Sequence, residues 1–303
     1  MTIPLRSRRR RRVVVAVVIV IAVLLLAGAT AIAIRMMLPT AQAAAPTPTP
    51  SSTQTVAPAP TPTRTGPPAN TAAYDLSGLP EVDVFAVIPA LPLDPDPYAP
   101  TAGLVATPAA AEVPVFADPA ADPVAKLPLD QVYGGANVPV VEKYDDWVRV
   151  LLVGREAVPP NGSSAQISGW MRMADVTLAS QDTHVEVSIS ARTIDVVGPA
   201  GSERVATDFG WGTPETPTPV GRSFVMMTRT APEFAYTRGY PLVYLSVQSP
   251  TLGGFGGADV AVTAFHYHDA RSGDISNGCI RVAPETIERL AQLPEGTPVY
   301  IRS

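Results

Sequence analysis

Residues 265–282 read FHYHDARSGDISNGCIRV and contain the only cysteine of the 303-residue chain, Cys279, with two of its three histidines, His266 and His268. A thiol and an imidazole are the two groups that a cysteine nucleophile needs. The thiol attacks as the thiolate, and the imidazole takes the proton and later returns it. This stretch therefore predicts a site for nucleophilic catalysis.

The residues before the cysteine favour a sharp turn. Ser276, Asn277 and Gly278 are small or turn-prone, so the backbone can bend there and aim its N–H groups. Backbone N–H groups beside a nucleophile can form an oxyanion hole. The alternative is a buried structural cysteine beside two surface histidines, since lone cysteines are commonly small core residues. The spacing alone leaves both interpretations open.

The sequence on both sides of this stretch indicates β-structure. The alternation in 260–268 puts His266 and His268 on one face of a strand, about 7 Å apart. Further strands are predicted at 185–190, 193–197, 242–249 and 297–302, with a helix from Pro284 to Leu293. This density of strands predicts a mainly β domain over residues 181–303.

The second half of the stretch resembles the catalytic signature of the L,D-transpeptidase (YkuD-like) family. That family has a histidine, a short loop and then Ser/Thr-His-Gly-Cys-Ile-Arg/Asn, and residues 276–281 here read SNGCIR. Residues 218–221, TPVG, are similar to a Thr-Pro-x-Gly segment of the family. Asn277 stands where histidine is more usual, and the loop from His266 to Cys279 is shorter than usual. The resemblance covers about 183–303 and implies a β-sandwich with one or two helices.

The resemblance also implies which residues carry the reaction. Cys279 is the nucleophile, and His266 is the general base because it ends an apolar strand as the family's histidine does. The short loop keeps His268 as the alternative base. A histidine beside the thiol is expected to lower the thiol pKa.

Other residues near the cysteine have implied supporting roles. The backbone N–H groups of Asn277, Gly278 and Cys279 are candidates for the oxyanion hole, and Ser276 lines the site. Arg281 either holds a substrate carboxylate or braces the turn.

Substrate binding is also predicted for His268 and Tyr267. No metal site is expected, because one cysteine and a His-x-His pair lack a third and a fourth ligand.

The implied activity is peptidoglycan cross-linking without a cofactor. The cysteine would attack a donor stem peptide, D-Ala would leave, and an acceptor stem would resolve the acyl-enzyme in a 3–3 cross-link. Water in place of the acceptor would make the protein an L,D-carboxypeptidase. A sortase, a papain-like wall hydrolase and an inactive wall-binding protein are further candidates, although the hydrolase would place its cysteine before its histidine.

The N-terminus predicts a membrane anchor. Residues 1–12 form a basic tail with six arginines, and 13–35 is the predicted transmembrane helix. Its 22 uncharged residues, 13–34, extend about 33 Å as a helix, enough for a hydrocarbon core. The arginines place the tail in the cytoplasm and the catalytic domain outside, in the cell wall. AQA at 41–43 keeps a cleaved signal peptide as the alternative.

Residues 36–104 form a predicted Pro/Ala/Thr-rich linker that becomes partly ordered after residue 74. The stretch 36–73 has too little apolar surface to fold and is expected to be an extended, polyproline-like chain. At about 3.1 Å per residue it reaches on the order of 100 Å. Such a reach would carry a catalytic domain away from the membrane.

Residues 105–180 are predicted to form a small β-barrel, because five or so short strands alternate with turn residues. DWVRV at 146–150 and SGW at 168–170 resemble motifs of a bacterial SH3-like domain. Trp147, Trp170 and Tyr144 are candidates for binding wall peptide or glycan. The alternative is that both tryptophans are core residues.

The charge balance and the cysteine content narrow the range of possible functions. The chain has 22 basic and 27 acidic residues, and eight of the arginines but no acid precede residue 73. The remainder carries 14 basic against 27 acidic residues, which argues against nucleic-acid binding. A single cysteine cannot form an internal disulfide, so a free thiol outside the cell calls for a function such as catalysis.

Overall fold

The computed structural model describes residues 65–303, which are mainly β with one α-helix, as the sequence predicts. The predicted basic tail, transmembrane helix and most of the linker lie outside the described residues. Within 65–303, none of the helices has the length and apolar character needed to cross a membrane.

Seven strands precede the region that resembles a transpeptidase. They are β1 (Leu104–Pro108), β2 (Glu112–Val115), β3 (Ala125–Pro128), β4 (Val138–Lys143), β5 (Trp147–Leu152), β6 (Ile167–Arg172) and β7 (Val176–Ser180), with a 3₁₀ turn at Met173–Asp175. Five of them form an antiparallel sheet in the order β6-β5-β4-β1-β7, and β2 pairs with β3. An SH3-like barrel over 105–180 remains a prediction.

Trp147 is a core residue of this part of the chain. Its side chain is fully buried, its ring meets Phe116 edge-on at 5.1 Å, and its indole N–H donates to the carbonyl of Pro68 at 2.9 Å. A buried ring cannot contact wall material, so of the aromatic residues proposed for wall binding Trp147 is excluded. Trp170 is half-buried beneath Arg149.

The irregular segment before β1 packs into both halves of the described chain. Val82, Ile88 and Leu91 are buried in the core of the preceding sheet. Asp94 forms a buried, bidentate ion pair with Arg222, with both N–O distances at 2.7 Å. This segment therefore joins the first sheet to the region that follows.

Ten strands and the helix make up the C-terminal region. They are β8 (His184–Ser188), β9 (Thr193–Gly198), β10 (Gly201–Ala206), β11 (Gly210–Gly212), β12 (Gly221–Thr230), β13 (Pro241–Gln248), β14 (Val262–Tyr267), β15 (Gly273–Ser276), β16 (Ile280–Val282), α1 (Pro284–Leu290) and β17 (Pro298–Arg302). A 3₁₀ turn spans Ala235–Thr237. Helix α1 starts with proline at its first position, where the missing N–H costs nothing.

These ten strands form one hydrogen-bonded sheet in the order β10-β9-β8-β17-β12-β13-β14-β16-β11-β15. Valines of β8 and β9 share a hydrophobic core with residues of β13, β14, β16 and α1. The two ends of the sheet therefore curl around a common core. The predicted β-sandwich is a single curled sheet.

Alternation in the central strands separates the core from a second face. Val243, Phe265 and Ile280 are fully or almost fully buried in the core beneath α1. Because successive side chains of a strand point to opposite faces, their neighbours in sequence point away from this core.

Buried polar contacts join the part of the chain before β8 to the C-terminal region. The Ser164 hydroxyl donates to the carbonyl of Ser249 at 2.6 Å, and the Ser246 hydroxyl donates to Gln166 Oε1 at 2.5 Å. Arg155 is 2% exposed and donates to the carbonyls of Gly253 and Asp259 at 3.1 and 2.6 Å. The segment after β5 thereby holds the 253–259 loop in place.

We expect the buried Asp94–Arg222 pair to be needed for stability. Asp94→Ala leaves a buried guanidinium without its counter-charge, which costs about 3–5 kcal/mol of unfolding free energy. Urea-induced unfolding measures this loss. Glu203→Ala breaks the more exposed pair with Arg289 and should cost no more than about 1 kcal/mol. Equal losses for the two variants would contradict a structural role of the buried pair.

Candidate active site

The floor of the candidate site is the second face of β12, β13, β14 and β16. Directly paired residues on neighbouring strands share a face, and the pairing produces two rows across the sheet. One row is Arg229, Leu242, His266 and Arg281, and the next is Met227, Tyr244 and Ala264. Cys279 continues the second row, because Phe265 and Ile280, one residue further along, are paired.

These two rows form the base of a cleft with a volume of about 600 Å³. The walls come from four other parts of the chain. The segment before β1 and the β3–β4 loop provide Val84, Phe85 and Tyr133, the 3₁₀ turn after β12 provides Phe234 and Tyr236, and the 253–259 loop provides Phe255, Gly256 and Ala258. The preceding half of the described chain is thus part of the cleft.

The loop before Cys279 is closed by its own hydrogen bonds. Gly278 has φ +107°, a backbone conformation that residues with a side chain rarely adopt, so glycine is favoured here. Its N–H donates to the Ser276 hydroxyl at 3.1 Å, and that hydroxyl donates to the carbonyl of Cys279 at 2.6 Å. The predicted oxyanion role of the Gly278 N–H is therefore wrong, because this N–H already donates to the Ser276 hydroxyl. The N–H groups of Asn277 and Cys279 remain candidates.

Thr218 of the TPVG segment and the nearby Thr216 form hydrogen bonds with the backbone of this loop. The Thr218 hydroxyl accepts from the N–H of Gly212 and donates to the carbonyl of Gly278, both at 2.9 Å. The Thr216 hydroxyl donates to the carbonyl of Ser276 at 3.1 Å. These two threonines hold the cysteine loop in position through its backbone carbonyls.

The two histidines of the cleft have opposite tautomers when neutral. Nδ1 of His266 lies 2.8 Å from the carbonyl of Tyr267, which can only accept, so Nδ1 carries the proton and Nε2 has a free lone pair. Nδ1 of His268 accepts from the N–H of Ala270 at 3.0 Å, which places the proton of that ring on Nε2. His266 can thus accept a proton at Nε2, whereas His268 offers a donor there.

Burial governs the titration of the thiol and of His266. Cys279 is partly exposed to the cleft, yet burial raises its pKa, against a hydrogen bond from the Ala264 backbone and the charge of Arg281. Burial lowers the pKa of His266 to about 4, although the hydrogen bond with the Tyr267 carbonyl opposes this shift. The expectation of a lowered thiol pKa is wrong for this state, because a neutral imidazole supplies no positive charge. At neutral pH the site holds a thiol and a neutral ring.

Tyr236 lies beside both cleft histidines and was not predicted from the sequence as a residue of the site. Its ring meets that of His266 edge-on at 5.2 Å and lies 5.8 Å from that of His268. Burial, followed by the charges of Cys279 and Tyr244, raises the pKa of Tyr236 to about 12. The tyrosine therefore stays a neutral donor at the mouth of the site.

Of the predicted substrate-binding residues, Tyr267 lies outside the cleft and Arg281 lies within it. Tyr267 lies on the core face, 5.0 Å from the ring of Tyr240, and its hydroxyl donates to Asp269 at 2.6 Å, so its predicted contact with substrate is wrong. Arg281 lines the cleft, and its Nη1 lies 3.5 Å from the carbonyl of Ala270. Its buried Nε has no hydrogen-bond partner among the described residues.

Three more groups of the cleft were not predicted from the sequence. Arg229 and Tyr244 belong to the floor, and an exposed pair of aromatic rings, Phe85 and Tyr133, stands at one wall with a centroid separation of 5.3 Å. Alternation in β12 and β13 could have placed the first two on one face. Only the strand pairing puts them beside His266. Within 65–303, no group of three or more His, Cys, Asp or Glu side chains is arranged to hold a metal.

The buried His266 makes stability depend on pH. The unfolded chain takes up a proton near the ordinary histidine value of about 6.5, whereas the folded protein does so only near pH 4. Stability should therefore fall as the pH drops from about 6.5 to 4, by about 3 kcal/mol from this group. His266→Gln should remove that part of the loss in urea unfolding at pH 7 and pH 4.5. His184→Gln, outside the cleft, is the matched control, and an unchanged pH dependence in His266→Gln would contradict the assignment.

Comparisons with known proteins bear on this geometry. Residues 182–301 match the model of the YkuD family, which describes an L,D-transpeptidase catalytic domain. No curated protein sequence matches the chain.

Several solved structures are similar. An L,D-transpeptidase from Mycobacterium smegmatis is 14% identical over 52% of this chain and 91% of that chain, with a TM-score of 0.31. One from Mycobacterium tuberculosis is 18% identical over 52% and 91%, also with a TM-score of 0.31. A mutant of the Enterococcus faecium L,D-transpeptidase is 24% identical over 40% of this chain and 50% of that chain, with a TM-score of 0.27.

At these scores the assignment rests on the family match, which covers the cleft floor, the cysteine loop and both cleft histidines. Residues 182–301 of this chain therefore match the L,D-transpeptidase catalytic domain of the YkuD family, the family that the sequence resembles.

Proposed function

We propose that this protein is a peptidoglycan L,D-transpeptidase that forms 3–3 cross-links through an acyl-enzyme on Cys279. The observation that carries the proposal is the shared cleft face, where the sole cysteine stands diagonally across from a histidine whose Nε2 lone pair is free. The match of 182–301 to a transpeptidase catalytic domain adds the substrate class, a peptidoglycan stem peptide.

In the first half-reaction, Cys279 Sγ attacks the carbonyl between the third residue of a donor stem and D-Ala. The thiol proton passes to His266 Nε2, which offsets the raised thiol pKa because the proton is transferred as the bond forms. The backbone N–H groups of Cys279 and Asn277 stabilise the oxyanion. When the C–N bond breaks, His266 returns the proton to the amine of D-Ala, which leaves a thioester.

In the second half-reaction, the side-chain amine of an acceptor stem attacks the thioester. His266 takes a proton from that amine, the C–S bond breaks, and the sulfur regains a proton from the histidine. The product is an amide between two third residues, and the energy of the original peptide bond is retained through the thioester. Attack by water at the same step gives the L,D-carboxypeptidase reaction.

The tautomers favour His266 over His268 as the base. His268 would have to give up its hydrogen bond from the N–H of Ala270 and move its proton before Nε2 could accept one. Its Nε2–H is instead placed to donate to a ligand in the cleft. We assign His268 to substrate binding and His266 to proton transfer.

We further propose that the protein is anchored by 13–35 with its N-terminus in the cytoplasm, and that the linker carries the catalytic domain into the wall. The support is the six arginines beside 22 uncharged residues. Protease added to wall-stripped cells should remove the catalytic domain. Protection of the domain while the membrane is sealed would contradict this topology.

Three substitutions should separate the roles of the cleft residues. Cys279→Ala should abolish both D-Ala release from disaccharide tetrapeptides and adduct formation with a carbapenem. His266→Ala should slow acylation by about 100-fold or more, the range for loss of a general base. His268→Ala should chiefly raise KM. Mass spectrometry of the products and of the protein measures all three.

Two outcomes would contradict the assignment. Turnover by Cys279→Ala would place the chemistry on another residue, and an inert thiol in the unaltered protein would favour a wall-binding protein without activity. If His268→Ala loses acylation while His266→Ala loses only affinity, the base is His268. Thermal unfolding of each variant controls for a folding defect.

A further inference from the structure

The cleft has a charge opposite to that of the rest of the protein. Its lining includes two arginines but no aspartate or glutamate, and burial keeps the lining residue His266 neutral at pH 7. Residues 65–303 as a whole carry 27 acidic and only 14 basic residues. A cationic cleft in an acidic protein attracts an anionic ligand and disfavours a cationic one.

The two arginines stand at opposite ends of the same row. Arg281 neighbours His266 on β16, and Arg229 is separated from His266 by Leu242 on β13. Three strand spacings put the Cα atoms of the two arginines about 14 Å apart. That distance equals the length of about four residues of extended peptide.

Most of the cleft floor lies on one side of Cys279. Beyond β16, β11 contributes nothing to the lining and β15 contributes only Ser276, whereas β14, β13 and β12 contribute most of the floor. A ligand whose reacting bond lies at Cys279, with its terminal carboxylate near Arg281, therefore has most room in the direction of Arg229.

The guanidinium of Arg229 has N–H groups that can donate further hydrogen bonds. Its Nη2 pairs with Glu233, but both side chains are substantially exposed, at 40% and 49%, and such pairs contribute little to stability. Its Nε has no hydrogen-bond partner in the described part of the chain. The Tyr244 hydroxyl interacts with the same guanidinium. A ligand carboxylate can replace Glu233 here and gain hydrogen bonds to a charged donor.

We propose that Arg229, with the hydroxyl of Tyr244, binds a carboxylate of the donor peptide that lies on the amino-terminal side of the attacked bond. This site rests on the proposed function and adds a determinant of specificity remote from the sulfur. Arg229 and Arg281 then measure the separation of two carboxylates. Peptides that lack the upstream carboxylate, or carry it as an amide, bind less tightly.

The test measures binding in the absence of turnover, with the Cys279→Ala protein. The probes are a tetrapeptide stem with all carboxylates free and the same peptide with only its upstream carboxylate amidated. We expect the free peptide to bind about 10-fold or more tightly, as for a charge-assisted hydrogen bond. Adding Arg229→Gln should bring the ratio of the two Kd values close to one, and Arg229→Lys should retain part of the preference.

Glu233→Gln is the matched control, because it breaks the same ion pair and keeps the guanidinium. It should keep or increase the preference for the free peptide, which a merely structural role of the pair would not predict. In the active protein, Arg229→Gln should raise KM and leave alkylation of Cys279 by iodoacetamide unchanged.

The outcomes separate the two proposals. If the free peptide is preferred equally with and without Arg229, this site is wrong and the proposed function stands. If Cys279→Ala binds neither peptide, both proposals are overturned. A loss of alkylation in Arg229→Gln would also overturn the site, because it would mean a distorted cleft.

Discussion

Side-chain alternation in four hydrogen-bonded strands is the constraint on which the candidate site depends. In β13, β14 and β16, alternate residues enter the core beneath α1 and the residues between them include the cleft floor, and β12 joins this floor from Met227 onwards, after a shift in its register. A shift of one residue in any strand would exchange the two sets. The core therefore holds His266 and Cys279 in register, since Phe265 and Ile280 cannot stay buried unless these two residues face the cleft.

The cleft also depends on residues outside the domain matched by the family. Phe85 and Tyr133 form part of its wall, and Arg155 holds the 253–259 loop through two backbone carbonyls. Gln248 links the same region to the carbonyl of Val84 at 2.8 Å. The preceding half therefore helps to shape the cleft.

Local patterns in the sequence predicted much of this arrangement, and contacts between distant residues account for the rest. The mainly β fold and the common face of His266 and His268 follow from a period of two within one strand. Tyr267 was misassigned although the same period places it on the core face. The raised thiol pKa and the position of Tyr236 depend on burial by segments distant in sequence. No local pattern encodes these features, and the same holds for the pairing of Arg229 with the row of His266.

The position of the last strand has a consequence for how the molecule folds. β17 is the last strand of the described chain, yet it lies in the middle of the ten-stranded sheet, between β8 and β12. Contacts that complete the fold span 128 residues between Asp94 and Arg222, and 199 between Thr101 and Tyr300. Contacts of such sequence separation form slowly, since the intervening chain must first lose its freedom. The ten-stranded sheet therefore cannot close before β17 is available to pair with β8 and β12 at the same time.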